Sequence, residues 1–364
     1  MLVEPHKMSV LHYGRSFIGA GAAVAIVAGC GPSEFAAPPG ASPAHRARPD
    51  LPKNLYVANF ANDTVTVYEP GTGTPLRTIS SGVKAPVALA FDPSEYLYVA
   101  NSATSTVTVY YPESTKPTRT ISDEVTKPQA IAFDSKGNTY VMNSGNSTVT
   151  VYKAGTNQLI QQIITGVKGP SALAFDSSDN LYVANSVSSS VTVYTGNGSS
   201  RTLNRTITKG VGDPQSLAFD SSGQLYVGNI LGSYYAGDVT VYAPGKSDPV
   251  ETIKKNVTRP TGLIFDSSNN LYVLAGSHPE YNSNYSDGYV AVYAGKKRAL
   301  QREVTIGIQI PFSETLGSSG YLNVANCPDF YSGGSVTVYA PGSKQVNRTI
   351  TTGIACPEAV GFGP

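Results

Sequence analysis

A short apolar phrase recurs along this chain at a nearly constant interval, and no other feature of the sequence restricts its fold as severely. It reads Leu55-Tyr56-Val57-Ala58-Asn59 in the first copy and returns at 97–101, 139–143, 181–185 and 225–229, with weaker copies at 271–275 and 322–326. The second residues of these phrases (56, 98, 140, 182, 226, 272 and 323) are spaced 42, 42, 42, 44, 46 and 51 apart. A period of this size marks an array of supersecondary units, each of which needs its neighbours to bury its apolar faces. Each phrase is followed by Val-Thr-Val-Tyr (65–68, 107–110, 149–152, 191–194, 239–242 and 336–339, with Val-Ala-Val-Tyr at 290–293). A third segment ends in Thr-Ile at 78–79, 120–121, 206–207, 252–253 and 349–350. Then comes Pro-x-Ala-Leu-Ala-Phe-Asp or a variant at 86–92, 128–134, 170–176, 214–220 and 260–266. Four short strands per period, separated by Gly, Pro, Ser and Asn turns, describe one blade of a β-propeller.

The two ends of the repeat give its topology. The array opens at residue 51 on the second strand of a blade and ends on Pro357-Glu358-Ala359-Val360-Gly361-Phe362, which has the form of the first strand. The fold expected is all-β: a seven-bladed β-propeller over residues 51–364, closed by the C-terminal strand completing the first blade. Closure removes the two sheet edges that an open stack would present to other chains. Composition agrees, since only 14% of the residues are charged while Ser, Thr, Asn and 23 Tyr supply the polar surface. Such residues suit strands and turns better than exposed helices. A net charge of +1 argues against nucleic acid as a partner.

The Tyr-Val-x-Asn strand followed by Thr-Val-x-Val-Tyr resembles the NHL-repeat and YVTN-repeat β-propellers. That resemblance implies the fold and says little about activity. WD-repeat propellers and quinone-dependent propeller dehydrogenases are poorer matches, because their blades rely on Trp and this chain has none.

The first fifty residues read differently. Residues 17–29 (FIGAGAAVAIVAG) form an apolar run of 13 after His6, Lys7 and Arg15, too short to span a bilayer. Val27-Ala28-Gly29-Cys30 resembles a bacterial lipobox, with Val in place of the commoner Leu. The expectation is a lipoprotein signal peptide at 1–29, then a tether at 30–50 that begins with lipidated Cys30 and is rich in Pro. The implied location is the bacterial cell envelope, extracytoplasmic and anchored to the membrane through lipid. The six Asn-x-Ser/Thr triplets (Asn62, Asn146, Asn197, Asn204, Asn256 and Asn347) then read as products of a Ser/Thr/Asn-rich repeat.

Residues present in every blade are explained most simply by the blade. Asp92, Asp134, Asp176, Asp220 and Asp266 precede hairpins and suit Asx-turns, with calcium ligation as the alternative. Asn59, Asn101, Asn143, Asn185, Asn229 and Asn326 end the second strand and either satisfy turn backbone or form a ring of amides around the channel. Catalytic resources are thin: His6, His12 and His45 precede the repeat, so His278 alone could serve it, and a multi-His metal site is excluded. No cofactor is implied. Lactone or sugar chemistry by carboxylates stays open, since carboxylate separations are invisible in sequence.

Departures from the repeat carry more information. The connection between the second strand and the next Val spans five residues in blades one to four (60–64, 102–106, 144–148, 186–190). It lengthens to nine (230–238), fourteen (276–289) and nine (327–335) in blades five to seven. These insertions hold Tyr234, Tyr235, Asp238, His278, Glu280, Tyr281, Tyr285, Asp287, Asp329, Phe330 and Tyr331, a mix suited to recognising protein, peptide or carbohydrate. Packing of the insertions on one another is the plainer alternative. Cys327 and Cys356 are expected to pair across adjoining blades in a compartment that permits disulfides. The sequence thus favours a monomeric, tethered binding module for an unidentified ligand. The alternative is a hydrolase or lyase resembling the gluconolactonase-like and streptogramin-lyase-like propellers.

Overall fold

The structure is a computed structural model and describes residues 53–232, 236–276, 288–295, 298–328 and 333–364. Cys30 and the leader and tether segments lie outside these residues. The described residues form seven four-stranded antiparallel sheets. Blade one is built from Asn54–Asn59, Thr64–Tyr68 and Pro75–Ile79, and its inner strand is Pro357–Gly363 from the far end of the chain. Leu55 pairs with Phe362, Tyr56 with Gly361 and Val57 with Val360. Blades two to seven each take four consecutive strands, the second for example running Pro86–Phe91, Leu97–Asn101, Thr106–Tyr110 and Pro117–Ile121. The C-terminal strand therefore closes the ring as the repeat register requires. Among the described residues no helix is long and apolar enough to cross a membrane.

The repeated residues are the joints between blades. Alternation along a strand sends Tyr98 and Ala100 to one sheet face, where they pack on Ile131, Phe133, Val141 and Tyr152 of the next blade. In five of the seven seams the Phe that ends the inner strand meets the preceding blade's second-strand Tyr edge-on, with ring centroids 4.9 Å apart for Tyr98 and Phe133 and the same pairing at Tyr56–Phe91, Tyr140–Phe175, Tyr182–Phe219 and Tyr226–Phe265. The Tyr that ends Val-Thr-Val-Tyr donates its hydroxyl to a carbonyl of the link entering its blade. Examples are Tyr68 to Thr352 O at 2.6 Å, Tyr110 to Ser81 O at 2.7 Å and Tyr339 to Ile306 O at 2.6 Å. Burial raises the pKa of these phenols, for Tyr68 to about 12, so they remain donors throughout the physiological range.

Asn and Asp settle as hairpin and link chemistry. Asn101 Oδ1 accepts the Lys84 amide at 2.9 Å while its Nδ2 donates to Thr108 Oγ1 at 3.0 Å. Asn59, Asn143, Asn185, Asn229 and Asn326 accept the corresponding link amides. All six are fully buried and serve link backbone. Asp92 Oδ1 accepts the amides of Ser94 and Tyr96 at 2.9 and 3.0 Å, the expected Asx-turn. Its Oδ2 accepts the Tyr98 hydroxyl at 3.3 Å.

An arginine completes this Tyr–Asp layer on the face opposite the links. Arg119 and Arg205 reach Tyr98 and Tyr182 from the outer strands of their own blades. In blades three and five the outer strand offers Gln161 and Glu251 instead, and arginines of the following blades fill the gap. Arg298 donates to Tyr226 at 2.6 Å. Arg201, fully buried, reaches Tyr140 and pairs with Asp179 at 2.9 Å, while Gln161 binds the Arg201 backbone. Replacing Arg201 by Met should cost about 2–3 kcal/mol, because Asp179 and the Tyr140 hydroxyl lose their partner, as denaturant titration will read. Deleting residues 354–364 should leave blade one without its inner strand. The shortened chain should aggregate or become protease-sensitive, and a monomer with unchanged Tm would refute this closure.

Candidate functional site

The face that carries the links between blades divides into two parts. In blades one to four the residue before the third strand is in the left-handed region and clasps the next blade. Asp63 (φ 59°) accepts the Ala85 amide at 2.7 Å, and Ser105, Ser147 and Ser189 accept the amides of Lys127, Gly169 and Asp213 at 3.0–3.2 Å. In blades five to seven the same position is Gly237, Gly288 or Gly334. A Cβ there would lie 2.6, 2.2 or 2.7 Å from the ring of the next blade's first proline (Pro260, Pro311 or Pro357). The backbone itself thus presses against the neighbouring blade, and a clasping side chain has no room. The lengthened connections begin in these same three blades.

Of the residues expected to form a ligand wall, Tyr234, Tyr235, His278, Glu280, Tyr281, Tyr285, Asp287, Asp329, Phe330 and Tyr331 lie outside the described residues. Asp238 is described and belongs elsewhere. It is a buried residue of the third strand, Gly237–Tyr242, where it accepts Asn229 Nδ2 at 2.8 Å. It takes the place that Thr64 and Thr106 fill beside Asn59 and Asn101, so it is a strand residue and not part of the loop. Cys327 and Cys356 are joined by a disulfide, as expected.

The inner strands of the same sector hold two carboxyls that the repeat does not call for. Their fourth positions read Leu89, Ile131, Leu173, Leu217 and Leu263, then Glu314 in blade seven and Val360 in blade one. The apolar residue at this position packs on the third-position residue of the preceding blade, as Ile131 does on Ala88 and Leu173 on Ala130. Opposite Glu314 that residue is Gly262, whose missing Cβ would stand 3.2 Å from Glu314 Oε1. The glycine is what leaves space for the carboxyl. Glu314 is 3% exposed and neither oxygen has a hydrogen-bond partner. The Leu274 amide approaches it closely enough to offset only part of the cost of burial. Glu358, at the second position of the closing strand, is 8% exposed and makes no hydrogen bond with a described residue. Loss of solvation pushes each carboxyl up to about 8.

The entries to the inner strands of blades five and six are charged, Asp213 and Arg259, whereas those of the strands carrying Glu314 and Glu358 are Ile310 and Cys356. Asp213, just before the inner strand of blade five, sits above the ordinary carboxylate range through burial, opposed by Gln215 at 2.7 Å and the charge of Arg259. Among the described residues no three His, Cys, Asp or Glu side chains gather so as to hold a metal.

Sequence reading passed over Glu314 and Glu358, although aligning the seven inner strands shows a Glu where an aliphatic residue belongs. The blade-seven copy, Pro311-Phe312-Ser313-Glu314-Thr315-Leu316-Gly317, departs from the consensus at so many places that it hides its own register.

A family model described as "Lactonase, 7-bladed beta-propeller" matches residues 111–219. No curated protein matches the chain in sequence. Among solved structures, a protein of Bacteroides fragilis described as a candidate 6-phosphogluconolactonase superposes with TM-score 0.67 at 15% identity, covering 87% of this chain and 99% of that one. A like-named protein of Bacteroides uniformis gives 0.65 at 14%, covering 85% and 99%. A protein of unknown function from Desulfotomaculum acetoxidans gives 0.68 at 13%, covering 85% and 98%. At such identities these likenesses establish the propeller fold.

The carboxyls make stability depend on pH. Each binds its proton more tightly in the folded state (about 8) than at the ordinary value of 4.5. Their contribution is therefore complete below 4.5 and is lost as pH rises towards about 8. Per group the slope approaches about 1.4 kcal/mol per pH unit within that window. Denaturant titrations from pH 4 to 9 should show this decline in the wild type, less of it in Glu358→Gln, and least in Glu314→Leu/Glu358→Gln. Glu314→Leu alone should raise stability at pH 8, and a lower Tm there would refute the assignment.

Proposed function

We propose that this propeller is a hydrolase of cyclic esters, acting on a lactone of a polyhydroxy acid at the link face beside blades seven and one. The observation that carries the reading is Glu358, a carboxyl of raised pKa on an innermost strand in the sector where the clasps end. The lactonase match and the lactonase-like neighbours supply the reaction class. A carboxylate whose conjugate acid titrates near 8 is a stronger base than an ordinary one.

In this mechanism ionised Glu358 takes a proton from a water molecule as the water oxygen bonds to the lactone carbonyl carbon. The tetrahedral intermediate then expels the ring oxygen, and the protonated Glu358 returns the proton to it as the carbon–oxygen bond breaks. The product is the open hydroxy acid, and the carboxylate is regenerated. Glu314, one blade away and closed off from solvent, is a second carboxyl of raised pKa in the same sector. The lipobox-like Val27-Ala28-Gly29-Cys30 supports a location in the cell envelope, with the residues before Cys30 removed and the tether holding the propeller at the membrane.

Hydrolysis of glucono-δ-lactone and of its phosphate ester, followed by acid release above the buffer blank, tests the reading. The wild-type rate should rise with pH through about 8, where Glu358 ionises. Glu358→Gln should lose about 100-fold or more in kcat. A wild-type protein indistinguishable from the blank on both substrates would overturn the proposal.

A further inference from the structure

We propose that the Cys327–Cys356 disulfide is a positioning element for Glu358, fixing the entry of the closing strand so that the carboxyl two residues on keeps one place in the ring. Its catalytic meaning rests on the hydrolase reading. Its structural meaning does not.

Blade seven lacks a side-chain clasp on the closing strand. The inner strands of blades two to five are clasped at their entries by a side chain of the preceding blade, as the Ala85 amide is by Asp63 and the Lys127 amide by Ser105, whereas glycine stands at the clasp position before blades six and seven and before the closing strand. At the entry of the closing strand the clasping position is Gly334, which has no side chain to offer. Two other ties replace it. The Cys356 amide donates to the carbonyl of Gly333, and the Cys356 sulfur is bonded to Cys327. On the blade-one side, the Ala355 amide donates to Asn59 Oδ1 at 3.1 Å, and the amides of Phe60 and Ala61 donate to the carbonyls of Cys356 and Ala355 at 3.1 and 3.3 Å. Residues 355 and 356 are thus pinned to blade one by hydrogen bonds and to blade seven by a covalent bond.

The far end of that bond is equally placed. The Cys327 amide donates to the carbonyl of Ile310 at 3.1 Å, immediately before Pro311–Leu316, the strand that carries Glu314. The disulfide therefore joins the entries of the two inner strands that bear the unpartnered carboxyls. Both sulfurs belong to fully buried residues. Cys356 is held at φ 43°, as are Ala85, Lys127, Asp213, Arg259 and Ile310 at the same position of other blades (42–46°), so this backbone conformation belongs to the repeat and the disulfide is what the closing strand adds. A reacting carboxyl displaced by about 1 Å loses much of its effect, and a single hydrogen bond opens far more readily than a covalent link.

The test uses the full chain and follows the Glu358 carboxyl by carbon-13 NMR titration beside kcat and KM on glucono-δ-lactone. Cys327→Ala/Cys356→Ala should lower the Glu358 midpoint by about one pH unit as water reaches it. The same variant should lower kcat about tenfold at nearly unchanged KM. If the double variant does not fold, Cys327→Ser, which leaves a hydroxyl beside the Cys356 thiol, carries the test. Ser147→Ala/Ser189→Ala, which removes two clasps across the ring, is the control: its Tm should fall while the Glu358 titration stays in place. Titrations of the cysteine variants that superimpose on the wild type would overturn the positioning role, whatever their activity. A shifted titration in a chain that hydrolyses no lactone supports the positioning role and overturns the hydrolase reading.

Discussion

The pairing of Pro357–Gly363 with Asn54–Asn59 is the contact on which the rest of this molecule depends. A blade has two apolar faces and can bury them only between neighbours, so a stack of blades needs either caps or a ring. Here the first and last segments of the repeat share one sheet, and every seam becomes an interior seam. The closing joint uses bonds found elsewhere in the ring: Tyr68 reaches the Thr352 carbonyl, as the matching Tyr does in the other six blades, and Asn59 accepts the Ala355 amide, as the matching Asn does in five of them. The disulfide is added at this joint, where the chain must bring together residues some three hundred positions apart and the cost of closing so long a loop is greatest.

Polar residues inside the ring fall into two groups. Those of the repeat are satisfied: each Asn serves a link amide, each hairpin Asp holds two backbone amides and a phenol, and where an outer-strand arginine is missing, Arg201 or Arg298 arrives from the following blade. Glu314 and Glu358 belong to the other group, buried without a partner among the described residues. An unpaired buried carboxyl costs free energy that an aliphatic residue at the same place does not. Five other blades hold Leu or Ile at the Glu314 position and the sixth holds Val360, so the fold has no need of the charge. Function is the simplest physical reason for an acid to stand there.

The fold could be read from the sequence because a propeller states itself seven times. Strand phase, blade number and the closure by residues 357–363 all followed from comparing copies. The pairing of Cys327 with Cys356 followed too, since the phase puts both at the same face of adjoining blades. The site was much less legible. The longest departures from the repeat, the Tyr-rich connections of blades five to seven, stand out in the sequence, whereas Glu314 and Glu358 are single substitutions inside strands. Asp238 shows the difficulty: next to an insertion it resembles a loop ligand, yet it pairs with Asn229 within the sheet. Gly262 is uninformative in the sequence, because it and Glu314 lie in different blades and meet only across a seam.

By itself the sequence determined the architecture, since period, alternation and turn residues act locally and repeat, leaving one closed arrangement able to bury every blade. Tertiary structure alone decided which polar residues are satisfied and which are stranded. Solvation and hydrogen bonding depend on what stands opposite a side chain, and in a ring the opposing group always comes from another blade. That is why Glu95, half-buried at a hairpin, and Glu314, buried and facing Gly262 across a seam, are the same letter in the sequence and stand in different surroundings in the protein.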